Sequence, residues 1–330
     1  MRGKIILAAG AVLVLLAGTA ILLHRPHARP LLEQLHGQVH GTAPAVQGDA
    51  GAEAATRARD GAAAMGRRWD ADVFAETVSL YTEVHRGLGW PGLLEPEAFR
   101  YGPGEQQTLT LFRPEQGFSE PGPVFVFIHG NGLGAPDWRL PGSEGLLLTH
   151  AGRLAATAGG LGVLMNYRTG EAESESSGAE DLRLVVEWLK HSIARYGGDP
   201  ETIVVVAHSE GASHAAAYLF DEGAQPESGP GIAAAVLSSG FFGDGAQHLA
   251  DLIDAYGGER VPLALWSAEF DPLDVETGMA RLHRQLCDKL DGCPGHEQMQ
   301  GYNHMSQLFS LGTADATVMN AFIRFYHTVR

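Results

Sequence analysis

In the stretch "IVVVAHSEGASHAAAYL", residues 203–219, four β-branched residues run into a serine, Ser209, and small residues follow it. A strand that turns sharply into a helix at a serine exposes that hydroxyl as a nucleophile, in the pattern Gly-x-Ser-x-Gly. Here Ala207 stands at the first glycine and Gly211 at the second. A serine needs a base to take its proton, and the base needs a carboxylate to hold its tautomer and stabilise the imidazolium. In "HEQMQGYNHMSQLFSLGT", His304 follows a short strand-like run and is the candidate base. In "SAEFDPLD", Glu269, Asp271 and Asp274 are candidate acids, with Asp271, before Pro272, the best placed. The glycines of "HGNGLG", residues 129–134, would let backbone N–H groups approach a substrate oxygen as an oxyanion hole requires. The segment is neither a P-loop, which needs a lysine after its second glycine, nor a dinucleotide fingerprint.

The elements that must position these residues can be read from hydrophobic pattern. "QQTLTLF" alternates as a strand. Five short apolar runs follow at residues 124–128, 163–166, 203–207, 233–238 and 262–266. Helical patterns lie between most of them, and in "GAEDLRLVVEWLKHSIARYGG" residues Leu182, Val185, Val186, Leu189 and Ile193 form one stripe, ended by Gly197. Near-continuous apolar strands alternating with helices predict an α/β fold, a mostly parallel central sheet with helices on both faces. In such a sheet ligands bind beyond the carboxyl ends of the strands, where the candidate residues fall. A further amphipathic helix is predicted from "WDADVFAETVSLYTEVH".

Ahead of that helix the chain changes character. Residues 5–23 carry no charge, follow Arg2 and Lys4, and at roughly 20 residues are long enough to cross a bilayer. Residues 1–23 are thus read as a membrane anchor or signal peptide. An anchor fits better, because cleavage after Ala20 would leave the apolar start "ILLHRP". Either reading sends the body across the inner membrane, tethered there or released outside the cytoplasm. Residues 24–66 are Ala/Gly-rich and are expected to be a flexible linker, with His24, His27, His36 and His40 solvated rather than metal-binding. Residues 67–330 are expected to be the catalytic domain. In an oxidising compartment Cys287 and Cys293, the only two cysteines, are spaced so that a disulfide is possible, though two separate thiols are not excluded. Of 330 residues, 23 are Lys or Arg and 39 Asp or Glu; the net charge of −16 disfavours nucleic acid or anionic lipid as a partner.

The blocks "YGPGEQQTLTLFRP", "FIHGNG", "MNYRTGEAES", "AHSEGASHAA" and "AEFDP…GYNHMSQLFSLGT" together resemble the carboxylesterase and lipase branch of the α/β-hydrolases, including esterases related to bacterial arylformamidases. Ser209, Asp271, His304 is that superfamily's chain order of nucleophile, acid and base. The resemblance implies an α/β-hydrolase fold, Ser209 as nucleophile, His304 as base, Asp271 as its partner, and the amides of Asn131, Gly132 and Glu210 as oxyanion hole. It implies a small or medium ester substrate, an acyl-enzyme intermediate and no metal or organic cofactor. An amidase of the arylformamidase kind would use the same residues, and a non-catalytic tethered binding protein on this scaffold would be expected to lack a triad member. Three departures stand out: Asn131 where the family has glycine, "YRTGEAE" for the usual Tyr-Arg-Leu-Ala-Pro-Glu, and Ala207. His129 is expected to support the oxyanion loop, with His208 and His214 beside or behind the nucleophile.

Overall fold

The computed structural model describes residues 48–130, 140–169, 177–242, 246–290 and 292–329. The expected membrane segment and Asn131 and Gly132 lie outside the described residues. Among those described, no helix is long and apolar enough to cross a membrane.

Eight strands form one sheet: β1 (Glu97–Arg100), β2 (Thr108–Phe112), β3 (Gly122–Ile128), β4 (Leu161–Met165), β5 (Gly198–His208), β6 (Ala234–Ser238), β7 (Leu263–Phe270) and β8 (Gly295–Asn303). Their spatial order is β1-β2-β4-β3-β5-β6-β7-β8. β1 pairs antiparallel with β2 and β2 with β4; every later pairing is parallel. The sheet is therefore mostly parallel, as the apolar strand runs predict. Register aligns the strand ends: Ile128 sits opposite Ala207, Ala207 opposite Leu237, His208 opposite Ser238, Ser238 opposite Trp266, and Phe270 opposite Asn303. Residues that follow these five ends must emerge along one edge.

Alternation along the strands feeds two cores. Ile203, Val205 and Ala207 point to one face, against α4 (Ser177–Ser192), α5 (Glu210–Phe220), α6 (Ala246–Ala255) and α7 (Leu273–Lys289). Val204 and Val206 point to the other, against α3 (Thr149–Thr157) and α9 (Thr317–Thr328). The short α8 (Ser306–Phe309) lies just beyond β8.

The expected linker is corrected over part of its length. Residues 49–64 form a helix, α1 (Asp49–Ala64), that packs on α2 (Ala71–Arg86) through buried Ala55, Ala58 and Ala62. The contact is close: a Cβ on Gly61 would lie 2.9 Å from Leu80 Cδ1. Small residues allow this approach but leave little hydropathy contrast, so the segment reads as polar and flexible in sequence. Asp70 caps α2, its carboxylate accepting from the Val73 amide at 2.9 Å.

Candidate active site

Ser209 occupies the turn between β5 and α5 with φ 58° and ψ −126°. A left-handed φ in a non-glycine residue is costly and persists only where its surroundings over-determine it. Here β6 and its following loop do so. The Ser209 amide donates to Ser238 O at 2.9 Å, and the Phe241 amide donates to Ser209 O at 3.2 Å. Glycine is required beside the turn: a Cβ on Gly211 would lie 2.4 Å from His129 O, and one on Gly130 would lie 2.9 Å from Ser209 Cβ. Ala207 meets no such limit. It is still within β5, fully buried, with its methyl in the core.

The end of β8 delivers His304. Asn303 and Ser306 bond reciprocally across it, Asn303 N donating to Ser306 Oγ at 2.8 Å and Ser306 N to Asn303 Oδ1 at 3.0 Å. The Asn303 side-chain amide then reaches α2, donating to Thr77 Oγ1 at 2.9 Å. His208 adds a further tie, its Nε2–H donating to His304 O at 2.8 Å. Burial, and secondarily the neighbouring His304, pushes the His208 imidazole down to about 3, so it is neutral near pH 7.

Asp271, at the turn after β7, is completely buried. Its Oδ2 accepts from the Ala268 amide at 2.7 Å and from Ser239 Oγ at 2.6 Å, and Gln307 donates in turn to Ser239 Oγ. Its Oδ1 faces His304 Nδ1 at 2.8 Å, and His304 Nε2 faces Ser209 Oγ at 3.0 Å. With the carboxylate accepting at Nδ1, the ring proton belongs there and Nε2 is left to accept the serine proton. The structure thus brings Ser209, Asp271 and His304 together from three strand ends. The other acids go elsewhere: Glu269 accepts from the Gly301 amide at 2.8 Å, and Asp274 is exposed at the start of α7.

Of the three residues expected as oxyanion donors, Glu210 is described: it is the first residue of α5, directly after Ser209. His129, which leads into the expected oxyanion loop, is held by Tyr167, whose hydroxyl donates to His129 O at 2.8 Å and whose ring stacks on His129 with centroids 4.7 Å apart. His214 lies edge-on to the same tyrosine at 4.9 Å. Arg168, the start of the divergent "YRTGEAE" stretch, donates through Nε to fully buried Asp181 at 2.9 Å. Residues 170–173 of that stretch lie outside the described residues.

Sequence reasoning missed Ser239 and Asn303. The available signal for the first was "SSG" at the end of the β6 run; nothing local marked the second. Cys287 and Cys293 are disulfide-bonded, with Cα atoms 4.3 Å apart. With His283 they are a group of possible metal ligands among the described residues, but both sulfurs are engaged with each other and the group takes no part in this site.

Comparison with known proteins finds similarity to esterases. Residues 107–246 match the model of the carboxylesterase family. Esterase-5C of Drosophila pseudoobscura pseudoobscura is 33% identical over 105 residues, which is 32% of this chain and 19% of that protein. Esterase P of Drosophila melanogaster is 28% identical over 116 residues, 35% of this chain and 21% of that protein. The chain thus spans about a fifth of the length of these relatives. Among solved structures, esterase B from Lactobacillus rhamnosis superposes with a TM-score of 0.58 at 15% identity, covering 90% of this chain and 95% of that one. A hyperthermophilic esterase from the archaeon Pyrobaculum calidifontis gives 0.57 at 17%, covering 84% and 98%. The fold is that of the α/β-hydrolases, and all of these similarities fit the carboxylesterase and lipase type.

Proposed function

We propose that this chain is a serine hydrolase that cleaves carboxylic esters through an acyl-enzyme. The observation that carries the reading is Ser209, held at a left-handed φ with its Oγ 3.0 Å from an imidazole whose far nitrogen is 2.8 Å from a buried carboxylate. Ser209 Oγ attacks the acyl carbonyl while His304 Nε2 takes its proton. The carbonyl oxygen becomes an anion beside the Glu210 amide, with Asn131 and Gly132 as the further donors that the sequence resemblance implies. His304 then protonates the leaving alcohol, the acyl group remains on Ser209, and a water activated by His304 releases the acid. Asp271 keeps the imidazole oriented and stabilises its charged form.

The test is hydrolysis of p-nitrophenyl butyrate by the full chain and its Ser209→Ala variant, with fluorophosphonate labelling and peptide mapping. The variant should lose kcat on the order of 10⁶-fold and take no label. Equal hydrolysis by both proteins would refute the nucleophile assignment.

A further inference from the structure

Among the described residues four large apolar side chains are exposed: Trp69, Leu94, Phe241 and Leu273. Single exposed apolar residues are ordinary; their placement here is not. Three of the four adjoin the triad. Trp69, 42% exposed, sets its indole edge-on to the His304 imidazole with centroids 4.7 Å apart. Phe241, 43% exposed, is the residue whose amide holds the Ser209 carbonyl. Leu273, 70% exposed, begins α7 two residues beyond Asp271. They come from three separate segments, and Arg67 ties the first to the third. Its guanidinium donates to Asp271 O at 3.0 Å and pairs with Glu276 on α7 at 2.6 Å.

We propose that Trp69 is a specificity-determining residue: with Phe241 and Leu273 it forms an apolar rim that receives the hydrocarbon part of the substrate, so that the preferred ester carries an alkyl or aryl alcohol. This rests on the ester-hydrolase reading above. The alcohol side follows from the chemistry. The leaving oxygen takes its proton from His304 Nε2, so a group leaning on that ring borders the alcohol as it departs. Phe241, whose amide donates to the Ser209 carbonyl, is assigned to the acyl side. A sugar or other polyhydroxy alcohol would desolvate its hydroxyls against the apolar side chains of Trp69 and Leu273.

The experiment compares ethyl, butyl and hexyl acetate with wild-type full chain and the variants Trp69→Ala, Trp69→Phe and Leu273→Ala. Wild-type kcat/KM should rise with alcohol length. Trp69→Ala should lose about 10-fold on hexyl acetate, chiefly in KM, and less than about 2-fold on ethyl acetate, the scale on which apolar pockets discriminate. Trp69→Phe should recover most of the loss, and fluorophosphonate labelling of Ser209 should survive in every variant. Equal losses on all three esters, or none on any, would overturn the proposal, the first by making Trp69 a support for His304 alone. Failure of the underlying reading is distinguishable, because wild type would then hydrolyse no ester, or Ser209→Ala would hydrolyse it equally well.

Discussion

Glycine at the two sides of the nucleophile turn should matter unequally, and the geometry gives the sizes. In Gly211→Ala the new methyl would lie 2.4 Å from His129 O and 2.7 Å from Ile128 O, both backbone atoms at the end of β3. Neither can rotate away, so the strand end must shift by about half an ångström or more. Overpacking of this kind costs about 1–3 kcal/mol. The moved carbonyl of His129 also accepts from Tyr167 at 2.8 Å, and weakening that bond adds about 1 kcal/mol. At roughly 2–4 °C per kcal/mol, melting should fall by about 5–15 °C. Activity should fall further than stability, because Gly130 against Ser209 moves with the strand; a misplacement of this size costs on the order of 10²-fold in kcat/KM. Ala207→Gly is the counterpart. It removes a buried methyl, about 0.8 kcal/mol, and loosens a strand backbone by about 0.5–1 kcal/mol, so melting should fall by roughly 3–7 °C with kcat/KM within about 3-fold. Thermal melts and p-nitrophenyl butyrate hydrolysis on the two purified variants decide the matter. Wild-type turnover in Gly211→Ala, or a gain above about 10-fold in Ala207→Gly, would show that the elbow is shaped by something other than these contacts.

Asp271→Asn should lower kcat by about 10³- to 10⁴-fold by leaving the wrong tautomer beside Ser209, whereas Asp274→Asn, exposed on α7, should stay within about 3-fold; the reverse order would move the acid. Burial holds His85 and His129 down at about 4 and His208 at about 3, so the folded chain keeps them neutral where the unfolded chain, at its ordinary value near 6.5, takes up protons. Their contribution is fully present above about pH 6.5 and is lost as the pH falls towards 4, approaching about 4 kcal/mol per pH unit for the three. Urea midpoints between pH 7 and pH 4.5 should show the decline, and His85→Gln should flatten it by less than a third, because fully buried His150 is also held well below its ordinary value; a flat profile would refute the linkage.

What could be read in the sequence follows from what is local. The parallel strands are legible because each is buried on both faces and so apolar throughout, as in residues 203–207. Ser209, Asp271 and His304 are legible because the chemistry admits few residue types and their order can be checked against strand ends. β1 escapes because four residues at a sheet edge alternate too briefly to be distinguished from a loop. The helix of residues 49–64 escapes because its packing face is alanine. Arg67 and Trp69 escape for another reason: their partners are 204 and 235 residues away, and no local pattern records a contact across such a distance.

β6 contributes no reacting atom, yet it governs when the site exists. Ser238 O holds the nucleophile turn, Ser239 Oγ holds the acid, and the Ser239 amide is itself bound to Trp266 O on β7 at 2.8 Å. The base arrives only with β8, the outermost parallel strand. Each of these pairings joins segments distant in the chain, the kind of contact that forms late because loop closure must precede it. On the proposed function, turnover should therefore report sheet completion: during refolding, helical signal and burial of the first core should return before ester hydrolysis, which requires β5, β6, β7 and β8 to be paired together.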